Sequence, residues 1–194
     1  MSALPRPAPA EVLRGFVAAV RRHDSSGVWA ALSPQTRRRL GRRGAASLET
    51  TVGGDAVVIL NLRLTSEWAV AAVTSSGGAY AAALRDVGGR WRVELGAPVA
   101  IEQLGNGSHG RVARPPVQLA AQIRAPRAPI LDAGMWLDGR GFPLHSGGTS
   151  ARFVSVYGVP PGSIRQGPHV VVAFARAGAD AAAKAWTFTV APRR

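Results

Sequence analysis

The chain contains no cysteine, so disulfides, thiolate nucleophiles and cysteine-ligated metals are excluded from the outset. Lysine is almost as scarce: Lys184 is the only one among 24 basic residues, set against 11 acidic ones. No apolar run approaches the roughly 20 residues that a bilayer-spanning helix needs. The opening MSALPRPAPA lacks the apolar core of a secretory signal, so the sequence reads as soluble, although Pro/Ala-rich starts of this kind often follow a removed signal or lipid anchor. The histidines His23, His109, His145 and His169 stand far apart with no second ligand near any of them, which argues against a metal site. Ser146 and Ser163 are loop serines outside any nucleophile elbow, and Gly77-Gly78 and Gly147-Gly148 lack the Lys-Ser/Thr of a phosphate loop. No cofactor is expected.

What is abundant is arginine, alanine, glycine and proline, and the formal net charge is +13. A cationic surface of this size attracts polyanions by counterion release. Because the excess is carried by Arg in an Ala/Gly/Pro-rich background, the skew also matches the codon bias of a GC-rich genome. That weakens the step from net charge to a nucleic-acid partner.

The first half of the chain is read as helices followed by a meander. Residues 8–22 place Val12, Leu13, Phe16, Val17 and Val20 on one stripe, with Pro9 in the first turn. A short helix carries Val28, Trp29 and Leu32, and Ser33-Pro34 restarts the chain as N-cap and first helical residue. Gly41 is expected to stop that third helix. From Asp55 the period becomes two: Val58, Leu60, Leu62 and Leu64 share one strand face, and strands around Trp68, Tyr80 and Trp91 follow through Gly-rich turns. Glu94 alternates against Trp91, Val93 and Leu95 and is expected to face solvent. Helices first and strands after mean helices layered on one face of an antiparallel sheet.

The strings RRHDSSGVWAALSPQTRRRLG and GGRWRVELG give this half, over residues 9–98, a resemblance to the cone-shaped α+β superfamily of nuclear transport factor 2 and ketosteroid isomerase, closest to the catalytically silent members found in bacterial envelope proteins. The resemblance implies a structural role for Asp24 as the cap of the second helix. Residues 104–116 (LGNGSHGRVARPP) show no apolar periodicity and read as a linker. Asn106-Gly107-Ser108 there fits a glycosylation sequon, a weak three-residue pattern. The expected organisation is therefore an α+β cone domain over 8–100, a linker over 101–116, and an all-β sandwich over 117–191.

In that second half, strands are expected at 117–124, 134–137, 142–144 and 152–157, with Asp138-Gly139 as a hairpin turn. The chain closes with a hairpin over 169–190, in which Val170, Val172 and Phe174 point one way, Trp186, Phe188 and Val190 line the other strand, and 177–183 form the turn. The strings MWLDGRGFPL and GPHVVVAFARAGADAAAKAWTFTV are similar to bacterial immunoglobulin-like domains of the kind without a disulfide.

Three groups of residues are candidates for function. Arg37, Arg38, Arg39, Arg42 and Arg43 form the densest charge and suit bidentate anion binding, or else simply a solvated helix face. Tyr80 with Trp91 and an inward acid such as Glu67 is the set a cone-fold isomerase or dehydratase needs. Of the five tryptophans, Trp136 beside its turn is the one expected to be exposed. With no catalytic signature elsewhere, the resemblances imply a non-enzymatic binding or scaffolding protein of the bacterial cell envelope, located outside the cytoplasm. Its partner would be a protein or an anionic envelope polymer; a membrane surface or a second copy of the chain are further candidates, with nucleic acid less favoured.

Overall fold

The computed structural model describes residues 7–192 except Thr51, Gly54, Ser108, His109 and Ser163. Ser108 of the sequon pattern, His109 and Ser163 therefore lie outside the described residues. The chain divides into two compact units, 1–96 and 97–194. No helix among the described residues is long and apolar enough to cross a membrane.

The first unit opens with α1 (Pro9–Arg21), α2 (Ser25–Ala31) and α3 (Pro34–Ala46). Their starts are set by side chains. Glu11 accepts from the Ala8 amide at 3.0 Å, Asp24 from Gly27 at 2.9 Å, and Ser33 from Thr36 at 3.0 Å, each satisfying a donor that a helix start leaves open. Gly41, expected to end the third helix, interrupts it instead: φ +64 and ψ 175 break the ladder, and helix resumes to Ala46. A left-handed residue of this kind is where glycine costs least.

Strands β1 (Val57–Arg63), β2 (Trp68–Ser75), β3 (Gly78–Val87) and β4 (Arg90–Glu94) form one antiparallel sheet in chain order, curled into a half-barrel. The helix-facing core joins Leu13, Phe16, Val17 and Val20 to Ala69, Ala71, Val73, Leu84, Trp91 and Val93. Small alanines on β2 and β3 let the helix approach closely. The register contains a surprise in β1, where Leu60 pairs with Ala72 and Leu62 with Val70 past a bulge at Val58/Leu60. Those leucines therefore occupy the opposite face from Trp91. Asn61 takes the helix side, where its Oδ1 accepts from the Ala10 amide at 3.3 Å.

The second unit is a sandwich of two sheets. One has the order β10 (His145–Ser150), β11 (Phe153–Gly158), β7 (Leu119–Arg124), β5 (Ala100–Leu104); the other has β6 (Val112–Ala113), β13 (Asp180–Val190), β12 (Gly167–Ala177), β8 (Ile130–Leu137), β9 (Arg140–Gly141). Ile101, Leu119, Ile123 and Val156 from the first sheet meet Met135, Val171, Trp186 and Phe188 from the second. The 101–116 segment is thus not a linker but part of this unit: β5 pairs with β7, and β6 lies parallel to β13. Periodicity missed both strands because one is short and half-exposed and the other is two residues long.

Two further expectations change. Residues 142–144 are not a strand but the passage from β9 in one sheet to β10 in the other, and Pro143 has no amide to donate to a ladder. The closing turn is not a seven-residue loop, because Ala177 pairs with Asp180. Only Gly178 and Ala179 turn the chain, and the +58° φ of Gly178 suits the first position of a type II′ hairpin. This tight register also settles the phase of β12. Val171 opposes Trp186 and His169 opposes Phe188, so Val171, Ala173 and Ala175 face the sandwich core while Val170, Val172 and Phe174 face away.

Candidate functional site

In the first unit the five clustered arginines separate into two kinds. Arg37 is committed to the fold: its Nε and Nη2 donate to the carbonyls of Trp29 and Ala30 at 2.8 and 3.0 Å, closing the C-terminus of α2 as basic side chains there commonly do. Two guanidinium groups lie over the Trp29 ring, Arg37 at 5.5 Å and Arg42 at 5.0 Å from its centroid, within cation–π range. Arg39 reaches a buried acid, with its Nη1 3.8 Å from Glu94 Oε2. Arg38 and Arg43 are exposed and have no side-chain partner among the described residues.

Glu94 overturns its expected exposure. It is 3% exposed because α3 lies over its face of β4. The Thr36 hydroxyl donates to its Oε2 at 3.0 Å, and the Leu95 amide donates to the same hydroxyl at 2.9 Å. The alternation was right, but the face it assigned to solvent is roofed by a helix.

Strand β4 also adds cations that the sequence reading passed over. Arg85 and Arg92 are cross-strand partners, and Arg90 stands two residues from Arg92 on the same face. Partial burial, followed by the nearby charges of Arg37 and Arg90, makes Arg92 a weaker base than a free guanidinium. Burial is the larger cause, and the like charges of Arg37 and Arg90 add to it in the same direction. Arg90 is exposed and without a partner among the described residues. Arg85 is held by Gln35 at 2.9 Å and lies over Trp68. The signal available in the sequence was the alternation of Arg90 and Arg92 in GGRWRVELG.

Tyr80, Trp91 and Glu67 do not come together. Tyr80 pairs with Val73 near one end of the β2–β3 hairpin, whereas Glu67 precedes Trp68, which pairs with Arg85 at the other end. Tyr80 and Arg85 are five positions apart on one strand, on the order of 16 Å. Glu67 is exposed. Trp91 is buried and capped by Arg63, 5.8 Å from its ring. Tyr80 lies against Phe16, with ring centroids 6.2 Å apart, and burial pushes its phenol up to about 12.

That shift has a measurable sign. An unfolded tyrosine loses its proton near pH 10 and the folded Tyr80 near 12, so between these values the folded chain holds the extra proton and stability falls as pH rises. The loss amounts to at most about 2.7 kcal/mol. Alkaline denaturation followed through absorbance near 295 nm is expected to show this fall. Tyr80→Phe should abolish it, and an unchanged pH slope in that variant would assign the fall to another group.

In the second unit, charged groups gather at the end of the sandwich. Asp138, in the left-handed region at φ +49, accepts from the Val170 amide at 2.9 Å through Oδ1, and its Oδ2 lies 2.7 Å from His169 Nδ1. His169 is buried, its Nε2 donates to the Arg165 carbonyl at 2.8 Å, and its ring lies 5.5 Å from that of Phe188. The same end holds a cleft of about 480 Å³.

The sequon asparagine is engaged in structure: Asn106 accepts from the Gln118 amide at 2.7 Å and donates to the Pro116 carbonyl at 3.0 Å. Trp136 is half-buried, as is Trp29, while Trp68, Trp91 and Trp186 are buried. No protein-family model matches the chain, and no curated protein matches it.

Proposed function

We propose that this chain is a non-enzymatic binding or scaffolding protein of the bacterial cell envelope that engages an anionic polymer through the arginines of α3 and β4. The observation that carries the reading is the uncompensated charge there. Arg38, Arg43 and Arg90 are exposed without a partner among the described residues, and Arg92 sits in the positive field of Arg37 and Arg90. A repeating anion relieves that repulsion and, by displacing its own counterions, gains entropy.

The assignment to an envelope protein rests on the two resemblances. For the second unit, support comes from strand order. Reading β5, β7, β8, β9, β10, β11, β12 and β13 as A, B, C, C′, D, E, F and G gives sheets A-B-E-D and G-F-C-C′, the arrangement of immunoglobulin-type sandwiches. His169 at the start of the F-like strand hydrogen-bonds back to Arg165, in the manner of the tyrosine corner of such domains. For the first unit, helices over a curled antiparallel sheet and the Asp24 cap support the cone-domain reading. An extracytoplasmic location follows from the same resemblances.

The test is binding of fluorescein-labelled linear polyphosphate, with poly-glutamate and duplex DNA of equal charge as comparisons, across a salt series. The combined variant Arg38→Gln/Arg43→Gln/Arg90→Gln removes only side chains without structural partners. It is expected to weaken polyphosphate binding at least tenfold and to flatten the dependence of log K on log salt by about two to three contacts. Binding indifferent to the triple change would overturn the reading. DNA held a hundredfold tighter than polyphosphate would replace it with a nucleic-acid partner, and binding to poly-glutamate alone would favour an acidic protein.

A further inference from the structure

The cleft at the end of the sandwich is walled on one side by the β8–β9 hairpin and on the other by the segment leading into β12. Leu137, Phe142, Pro160, Pro161 and Ile164 supply its apolar lining. Its volume, about 480 Å³, lies within the range of small-molecule sites. Four charged or titratable side chains line it as well: Asp138, Arg140, Arg165 and His169.

Their commitments differ. Both carboxylate oxygens of Asp138 are engaged, one by the Val170 amide and one by His169. Both ring nitrogens of His169 are engaged too, by Asp138 and by the Arg165 carbonyl. Neither the acid nor the imidazole is therefore available to a ligand without breaking the contacts that join the two walls. The guanidinium groups of Arg140 and Arg165 are exposed and have no partner among the described residues. What remains open is an apolar trough with two unpaired cations.

We infer that this cleft binds a small organic carboxylate with an apolar body, the carboxylate held by Arg140 and Arg165 and the body laid against Phe142, Pro160 and Ile164. A planar carboxylate matches the paired donors of a guanidinium. The bound body removes apolar surface from water, and the charge selects against neutral and cationic analogues of the same shape. The His169–Asp138 contact is a positioning element, fixing the two walls at the separation the ligand needs. This inference is independent of the polymer-binding arginines, which belong to the other unit.

The probe is phenylacetate, with phenethyl alcohol and phenethylammonium as neutral and cationic controls, titrated into the full-length ¹⁵N-labelled protein. Amide shifts are expected at 137–142 and 164–170, with phenylacetate binding at least tenfold tighter than either control. Arg140→Gln/Arg165→Gln keeps the Arg165 carbonyl and so the contact with His169. It is expected to reduce phenylacetate affinity about tenfold while leaving that of the alcohol unchanged, and Phe142→Ala should weaken both. Equal affinity for the three probes, shifts centred elsewhere, or no shifts at 20 mM phenylacetate would each overturn the inference.

Discussion

Glu94→Ala is expected to destabilise the first unit by about 2–3 kcal/mol, more than any single arginine of α3 exposed to solvent. Truncation leaves Arg39 beside a void and takes from Thr36 the acceptor it meets at 3.0 Å. Breaking a fully buried ion pair by removing one partner costs about 3–5 kcal/mol. Here Arg39 keeps 20% of its side chain exposed and its Nη1 stands 3.8 Å from the carboxylate, so water softens the loss and the lower figure applies. A further offset comes from Glu94 Oε1, which is buried without a hydrogen-bond partner; its removal recovers part of a desolvation cost.

The same reasoning predicts that Glu94→Met/Arg39→Met, which removes both charges and keeps the volume, is close to neutral. Hydrogen exchange of the β3 and β4 amides reads the effect in this unit alone. An Ala variant within 0.5 kcal/mol of the wild type on that measure would mean the carboxylate contributes nothing to holding α3 on β4.

How far the sequence disclosed this arrangement depended on whether local pattern or long-range pairing decides each feature. Caps are local: Asp24, Ser33 and Pro34 stand where their types require, and the three helices begin as expected. Asp138-Gly139, both at positive φ, joins β8 to β9 as a two-residue turn signal predicts. Phase in a continuous apolar run is not local. In HVVVAFARA every residue from Val170 to Ala175 is apolar or small, so alternation has two equal solutions, and only pairing with β13 chooses between them. Glu94 failed for a related reason, since period two assigns a residue to a face without saying what lies over that face. The residues of the terminal cleft were individually visible, but His169 and Asp138 are 31 positions apart, and no spacing rule joins them. The arginine cluster was fully visible as charge; its division into Arg37, which closes a helix, and Arg38 and Arg43, which do not, required the coordinates of the α2 carbonyls.

The second large effect is expected at Asp138, where backbone and side chain pull in the same direction and three substitutions separate them. Asp138→Ala should destabilise the second unit by about 2–3 kcal/mol. Roughly 1 kcal/mol of this is the cost of an alanine at φ +49, a region that Asp, Asn and Gly enter more readily. The remainder is the loss of an ionised acceptor from the Val170 amide and from buried His169, interactions worth about 1.5–3 kcal/mol when the partner is charged, taken low because 47% of the Asp138 side chain is exposed. Asp138→Gly restores the backbone freedom but not the acceptor, so it should lose about 1–2 kcal/mol. Asp138→Asn tolerates the same φ and keeps one acceptor oxygen, and about 1 kcal/mol is expected. The order Ala, Gly, Asn from most to least destabilised, read by hydrogen exchange of β8 and β12, assigns the larger share to the carboxylate. Were Gly to match the wild type, the whole loss in Ala would be backbone strain, and His169 would owe its burial to Phe188 and the Arg165 carbonyl alone.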